Sequence, residues 1–342
     1  MVVIVPCAGR SSRFPNSLPK YVLSCYNGDM VLENVLKDYI GKYQIYVSIL
    51  KEHEEKFNIT HRLRYQFGDK INIIIIDELT KGAAETVYKT LAAANLPPET
   101  PFIVRDCDSF FKHEIVEGGN YVYCEHINNA ENLPAKSYIE TNNQNIITNI
   151  IEKKIISEFF CVGGYQFESV QKYNQYFESA GSTNNELYIS EIIGNMINDG
   201  QVFVKLKVSN YIDVGTINEF RKYNDKPTYF CDIDGIICNV QSRYDEYPFE
   251  NYVPLKNNIR ALLDKLHNGC QIIFTTARDS MYEHETRRML DDFGFAECIL
   301  LMDIHRSRRI VINDYSDYYP TDRKSTRLNS SHIPLSRMPS SA

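Results

Sequence analysis

The runs Val2–Val5 and Ile71–Ile76 are apolar at almost every position and rich in β-branched residues. A strand with one wet face alternates, so a run that is apolar on both faces is buried on both, as parallel strands covered by helices are. Helix-like spacing over Val31–Ile40, a strand over Gln44–Leu50, a charged helix over Glu54–Phe67 and a helix over Ala83–Ala94 accompany these runs. Pro97, Pro98 and Pro101 then break the chain before the apolar strand Phe102–Val104. This βαβ alternation predicts an α/β fold of Rossmann-like class. Extended segments are expected over Tyr121–His126, Lys136–Glu140, Ile146–Lys154 and Phe159–Phe167, the last containing Gly163-Gly164. A helix from Glu186 to Ile197, a strand over Val202–Val208 and a helix over Ile217–Tyr223 follow.

At 342 residues the chain exceeds the usual size of a single core, so two domains are expected. Asn224-Asp225-Lys226-Pro227 reads as the linker, after which the apolar strand Tyr229–Cys231 begins. No apolar run approaches the ~20 residues of a membrane span, and Met1 leads straight into a core strand without a signal-like segment. The nine cysteines lack CxxC or Cys/His spacing and read as reduced thiols, so a soluble cytoplasmic protein is expected. A formal charge of −7 argues against nucleic acid as a partner. From Asp322 the composition turns to Ser, Arg and Pro, and DRKSTRLNSSH with SRMPSSA matches the conceptual translation of a sequencing-library adapter. Residues 322–342 are therefore expected to be non-native. That tail carries four Lys/Arg against one Asp, so the rest of the chain is more acidic than the total suggests.

The first strand ends at Pro6 in a loop of small residues, Ala8-Gly9-Arg10-Ser11-Ser12, followed by Arg13 and Pro19-Lys20. Such a loop gathers backbone N–H groups into a nest for phosphate oxygens, and Arg13 and Lys20 add positive charge beside it. Strand Phe102–Val104 runs into Arg105-Asp106-Cys107-Asp108, which places carboxylates where open α/β sheets bind ligands. Asp108 is a candidate Mg²⁺ ligand with Asp106 behind it. Lys153, in Glu152-Lys153-Lys154, could reach a substrate phosphate, and Asp213 supplies a second late carboxylate.

Taken together, residues 1–225 resemble the nucleotidyltransferases of sugar phosphates and phosphocholine. The motifs that carry the resemblance are Gly9, Arg13, Pro19 and Lys20, then Gly82–Val87, Asp108, the Glu152-Lys153 pair and Asp213–Thr216. Ser11 stands where many members have a second glycine. The resemblance implies a mixed, mainly parallel sheet and attack of an acceptor phosphate on the α-phosphorus of a nucleoside triphosphate, releasing pyrophosphate. It implies that Arg13 and Lys20 are catalytic, and that Ala8, Gly9, Ser11, Ser12, Gly82, Glu85 and Thr86 bind nucleotide. Glu152, Lys153 and Glu186 would bind the acceptor, a sugar 1-phosphate or a phosphocholine or polyol phosphate, and Asp108 and Asp213 would hold Mg²⁺.

The second apolar strand runs into Asp232-Ile233-Asp234-Gly235. Two carboxylates two residues apart can face one Mg²⁺, while the glycine lets the chain turn away. Residues 226–321 resemble the haloacid dehalogenase-like phosphohydrolases. Asp232, Asp234 and Gly235 match the first motif, Thr276 at the end of Ile272–Thr276 the second, and Asp314 after Ile310–Ile312 the acidic fourth. Asn313 replaces an acid common there, with Asp317 nearby. Arg306 is the choice for the basic third motif over Arg308 and Arg309. The resemblance implies a second Rossmann-like domain with Asp232 as nucleophile, Asp234 as acid and base, and Mg²⁺ held by Asp232, Asp234 and Asp314. Only 42 positions separate Asp234 from Thr276, which implies a capless site, and the chain would be truncated after the fourth motif. The expected protein is a bifunctional enzyme that makes and processes an activated precursor of a surface glycan.

Overall fold

Val2–Cys7 forms the first strand, β1, and its alternate side chains enter two different cores: Val3, Val5 and Cys7 one, Val2 and Ile4 the other. The computed structural model describes residues 1–129, 133–180, 186–239 and 252–307. The chain divides between Asn224 and Asp225 into two compact units.

In the first unit β1 is followed by α1 (Val31–Leu36), β2 (Gln44–Leu50), α2 (Lys51–Phe57), α3 (Ile59–Phe67), β3 (Asn72–Ile76), α4 (Ala83–Ala94) and β4 (Phe102–Arg105). The expected helix over Glu54–Phe67 is thus two helices. Asn58 takes the left-handed conformation, φ 50°, and ends α2, and the Glu54 carboxylate then accepts from both the N–H and the hydroxyl of Thr60 to start α3. Next come β5 (Ser109–Lys112), β6 (Asn120–His126), β7 (Ser137–Thr141), β8 (Ile147–Glu152), β9 (Phe159–Phe167), α5 (Val170–Ser179), α6 (Ile189–Asn198), β10 (Phe203–Lys207), β11 (Ser209–Asp213) and α7 (Ile217–Asn224).

The main sheet runs β10-β6-β9-β4-β1-β2-β3, with β7 and β8 attached through β9. Strands β4, β1, β2 and β3 are mutually parallel, whereas β9 is antiparallel to both β4 and β6, so the sheet is mixed. Strands β2 and β3 lie to one side of β1 and β4 lies to the other. The connections therefore reverse direction at β1/β4, and the strand ends there open a crevice at a topological switch point. A separate two-stranded ribbon pairs β11 with β5, Asp213 opposite Ser109.

The second unit has a parallel sheet β12-β13-β14 formed by Thr228–Cys231, Gln271–Thr275 and Ile299–Leu301, with helices α8 (Lys256–His267) and α9 (Glu283–Asp292). Its core gathers Cys231, Ile233, Leu262, Phe274, Leu290 and Phe295. Asp314, Asn313, Asp317, Arg308, Arg309 and the 322–342 tail lie outside the described residues. Among the described residues no helix is long and apolar enough to cross a membrane.

Candidate active site

A cleft of ≈ 660 Å³ lies at the switch point, lined among others by Gly9, Arg13, Lys20, Gly82, Asp108 and Asp213. The loop after β1 enters it through Ser11, whose φ of 53° is the left-handed conformation that glycine adopts most easily. Ser11 is held there by its carbonyl, which accepts from Phe14 N–H at 2.8 Å, and by its hydroxyl, which accepts from Lys20 N–H at 3.3 Å. A β-carbon on Gly9 would meet nothing within 4 Å, so the backbone there stands open to a ligand. Ser12 also lines the cleft, whereas Ala8 is buried against Leu50 and Ile76 and does not.

Across the cleft, Lys20 Nζ reaches Asp108 Oδ2 at 3.1 Å. The ribbon brings Asp213 to the same place, because Val214 N–H donates to the Asp108 carbonyl at 2.9 Å across it. Above Gly215, the position a β-carbon would take is 3.0 Å from Asp213 Oδ1, 3.5 Å from Asp108 Oδ2 and 3.6 Å from Arg13 Nη1. Two carboxylates and a guanidinium, drawn from three distant stretches, thus converge on one point. Burial pushes the Asp108 carboxyl up, but Lys20, Lys136 and Arg13 outweigh it and hold it at about 2. Burial and the neighbouring Asp108 charge push Asp106 up to about 7. Asp106 packs on Gly163, where a β-carbon would lie 2.7 Å from its Oδ2.

Lys136 escaped sequence reasoning. It is hydrogen bonded to Asp213 Oδ2 and donates to Tyr211 Oη at 2.9 Å. Its only sequence signal was a cation at the start of an otherwise apolar and polar extended segment. Tyr188 is a second such residue: its hydroxyl links Lys153 Nζ to Glu186 Oε2, joining two of the expected acceptor groups. Glu152 faces the same side and accepts from Ser137 and Ser190 hydroxyls.

Gly82 and Thr86 line the cleft, with Thr86 Oγ1 2.6 Å from Thr80 Oγ1. Glu85 does not line it. Its carboxylate is spent on the first turn of α4, accepting from Lys81 N–H at 2.7 Å and pairing with Lys89 at 2.8 Å.

Among the described residues no group of three or more His, Cys, Asp or Glu is arranged to hold a metal. Asp108 and Asp213 nevertheless suit Mg²⁺, a hard cation that is commonly held by one or two carboxylates together with substrate phosphates. The donor set fits such an ion arriving with a triphosphate.

In the second unit, Asp232 and Asp234 lie just past the C-terminal end of β12. Gly235, at φ 81°, turns the chain there, and its N–H donates to the Cys238 carbonyl. Thr276 is fully buried just past β13, and its hydroxyl accepts from Arg278 N–H. The basic residue at this turn is Arg278. Its Nε and Nη2 donate to the two oxygens of Asp234 at 3.0 and 2.7 Å, a bidentate pair. Arg306 is exposed and makes no ion pair with Asp232 or Asp234 among the described residues. The signal that could have found Arg278 is its place two residues after Thr276 at a strand end. Both Asp234 oxygens are thus taken, Asp232 Oδ1 accepts from Ile233 N–H at 2.9 Å, and Asp314 lies outside the described residues.

No family model matches this chain, and no curated protein is similar to it in sequence. Solved structures do share the fold of about two thirds of the chain. One is a nucleoside-diphosphate-sugar pyrophosphorylase from Vibrio cholerae RC9, with a TM-score of 0.58 and 20% identity, covering 66% of this chain and 100% of that protein. Another is an inositol-1-phosphate CTP transferase from T. maritima, with a TM-score of 0.53 and 14% identity, covering 64% and 90%. At these identities the likeness establishes a common fold.

Proposed function

We propose that the first unit transfers a nucleotidyl group from a nucleoside triphosphate to a phosphorylated small molecule and releases pyrophosphate. The observation that carries this reading is the convergence of Asp108, Asp213 and Arg13 above Gly215 at the switch point. An acceptor phosphate oxygen forms the new bond to the α-phosphorus while the bond to the departing pyrophosphate oxygen breaks, so no protein nucleophile is needed. The side chains then act by position and charge. Arg13 and Lys20 with the 9–12 loop hold the triphosphate, Gly82 and Thr86 hold the nucleoside, and Lys153 with Glu152 and Glu186 orients the acceptor. Asp108 and Asp213 would hold Mg²⁺, which when bound neutralises phosphate charge as a Lewis acid. The two solved proteins act, by their names, on nucleotide sugars and inositol 1-phosphate, and acceptors of that class suit this polar cleft.

For the second unit we propose a haloacid dehalogenase-type phosphohydrolase. The support is the pair Asp232 and Asp234 at a glycine turn, with Thr276 just past the end of the neighbouring strand β13. Asp232 would attack the phosphorus of an ester, the leaving oxygen taking a proton from Asp234, and water would then cleave the aspartyl-phosphate. The Arg278 pair must open for Asp234 to move that proton. Joined in one chain, the two activities suit a pathway that builds an activated glycan precursor.

The test is pyrophosphate release by the full chain with each nucleoside triphosphate against sugar 1-phosphates, inositol 1-phosphate and phosphocholine. Asp108→Asn and Asp213→Asn should abolish it. Release with no combination, alongside ester hydrolysis that Asp232→Asn abolishes, would instead make the first unit a nucleotide-binding regulator of a phosphatase. Full ester hydrolysis by both Asp232→Asn and Asp234→Asn would refute the second assignment.

A further inference from the structure

Neither carboxylate at the convergence point is bare. Asp108 Oδ2 carries the Lys20 ammonium, and Asp213 Oδ2 carries both Lys136 and the Tyr211 hydroxyl. The remaining Asp213 oxygen accepts from Gly215 N–H at 2.8 Å. The side chains of Lys136 and Asp213 are only 17% and 15% exposed, so water screens this pair little. A divalent ion on Asp213 Oδ2 would share that oxygen with an ammonium at hydrogen-bond distance, and the two cations would repel at close range. Lys136 has one other connection that bears on function: its backbone carbonyl accepts from Lys153 N–H at 2.9 Å, so its side chain springs from between the metal carboxylate and the acceptor lysine.

We infer that Lys136 occupies the metal's place on Asp213 until the metal arrives already bound to a triphosphate, and that its ammonium then passes to a substrate phosphate in the same cleft. This rests on reading the first unit as a nucleotidyltransferase. A free divalent ion must displace Lys136 and gains two carboxylates. A metal–nucleotide complex brings its own phosphate ligands and offers the displaced ammonium an anion of equal strength. The site therefore selects the complex over the free ion, and Lys136 is a phosphate-binding residue of the loaded site.

The test uses the full-length protein and Mn²⁺ as probe, with free Mn²⁺ counted by electron paramagnetic resonance. Titrations are run with the metal alone and with α,β-methylene analogues of each nucleoside triphosphate. Lys136→Met should bind free Mn²⁺ about tenfold more tightly than the unmodified protein, equivalent to ~1.4 kcal/mol, and the Mn²⁺–analogue complex about tenfold more weakly. Lys136→Arg should restore both. A merely structural role would weaken both affinities together, and that outcome, or unchanged free-ion binding by a folded Lys136→Met, overturns the inference. A second measurement needs no variant: the unmodified protein should bind Mn²⁺ at least a hundredfold more weakly without an analogue than with one, and equal affinities overturn it. Absence of pyrophosphate release in every combination would overturn the transferase reading, whereas the metal-only titrations bear on Lys136 itself.

Discussion

Gly82 packs against the Leu187 backbone and the Glu186 side chain, and replacing it with alanine perturbs that contact. Its φ of 164° is extended backbone open to any residue, so the substitution carries no conformational strain. The cost is steric: the new methyl would lie 2.7 Å from the Leu187 carbonyl oxygen, 3.1 Å from Glu186 Cγ and 3.3 Å from Leu187 N. Restoring an ordinary contact with that carbonyl requires a displacement of about 0.7 Å between two half-buried stretches of backbone. Overpacking of this kind costs about 1–3 kcal/mol, which lowers the melting temperature by roughly 2–12 °C for a unit of this size. The segment that yields carries Glu186 and Tyr188, the partners of Lys153. A shift approaching 1 Å at a positioning group costs catalysis on the order of 10²-fold. Thermal unfolding and pyrophosphate release at varied acceptor concentration read both effects, with the loss expected in kcat and in acceptor KM. Gly9→Ala is the control, since its methyl meets nothing within 4 Å and should change stability by less than about 0.5 kcal/mol. A Gly82→Ala protein with the melting temperature and turnover of the unmodified enzyme would refute this account of the cleft.

Other perturbations test separate parts of the site. Glu85→Ala should lose about 1 kcal/mol by uncapping α4 and leave nucleotide KM nearly unchanged; a large rise in KM at constant stability would return Glu85 to nucleotide binding. The Asp106 carboxyl, raised to about 7 in the folded chain by burial and by Asp108, ionises near 3.9 when unfolded. Between those values the native state binds the extra proton, so stability falls as pH rises from about 4 through 7 and levels off above. Asp106→Asn should flatten that slope in metal-free protein, as melting temperatures from pH 4.5 to 8.5 would show, and a parallel offset at every pH would contradict it. Arg278→Met strands the Asp234 carboxylate, in a pair whose side chains are 7% and 22% exposed. It should destabilise the second unit by about 3 kcal/mol, the low end for a buried pair that loses one partner. Hydrogen exchange should show the loss confined to residues after Asn224, and protection equal to that of the unmodified protein would exclude it.

The sequence by itself determined the sheet-forming runs and their class. Gln44–Leu50, Ala83–Ala94 and Phe159–Phe167 begin and end where their apolar pattern does, because burial on one or both faces writes a period into the residues themselves. Tertiary structure decided which charges meet. The ribbon of β5 and β11, absent from the periodicity, sets Asp213 beside Asp108 and with it Lys136, a residue no motif singles out. Arg278 reaches Asp234 where Arg306 does not, and Glu85 turns to its own helix. Local pattern reports how much of each segment is hidden from water. Which ammonium closes on which carboxylate depends on register and loop closure across many tens of residues, and those are fixed only when the whole sheet assembles.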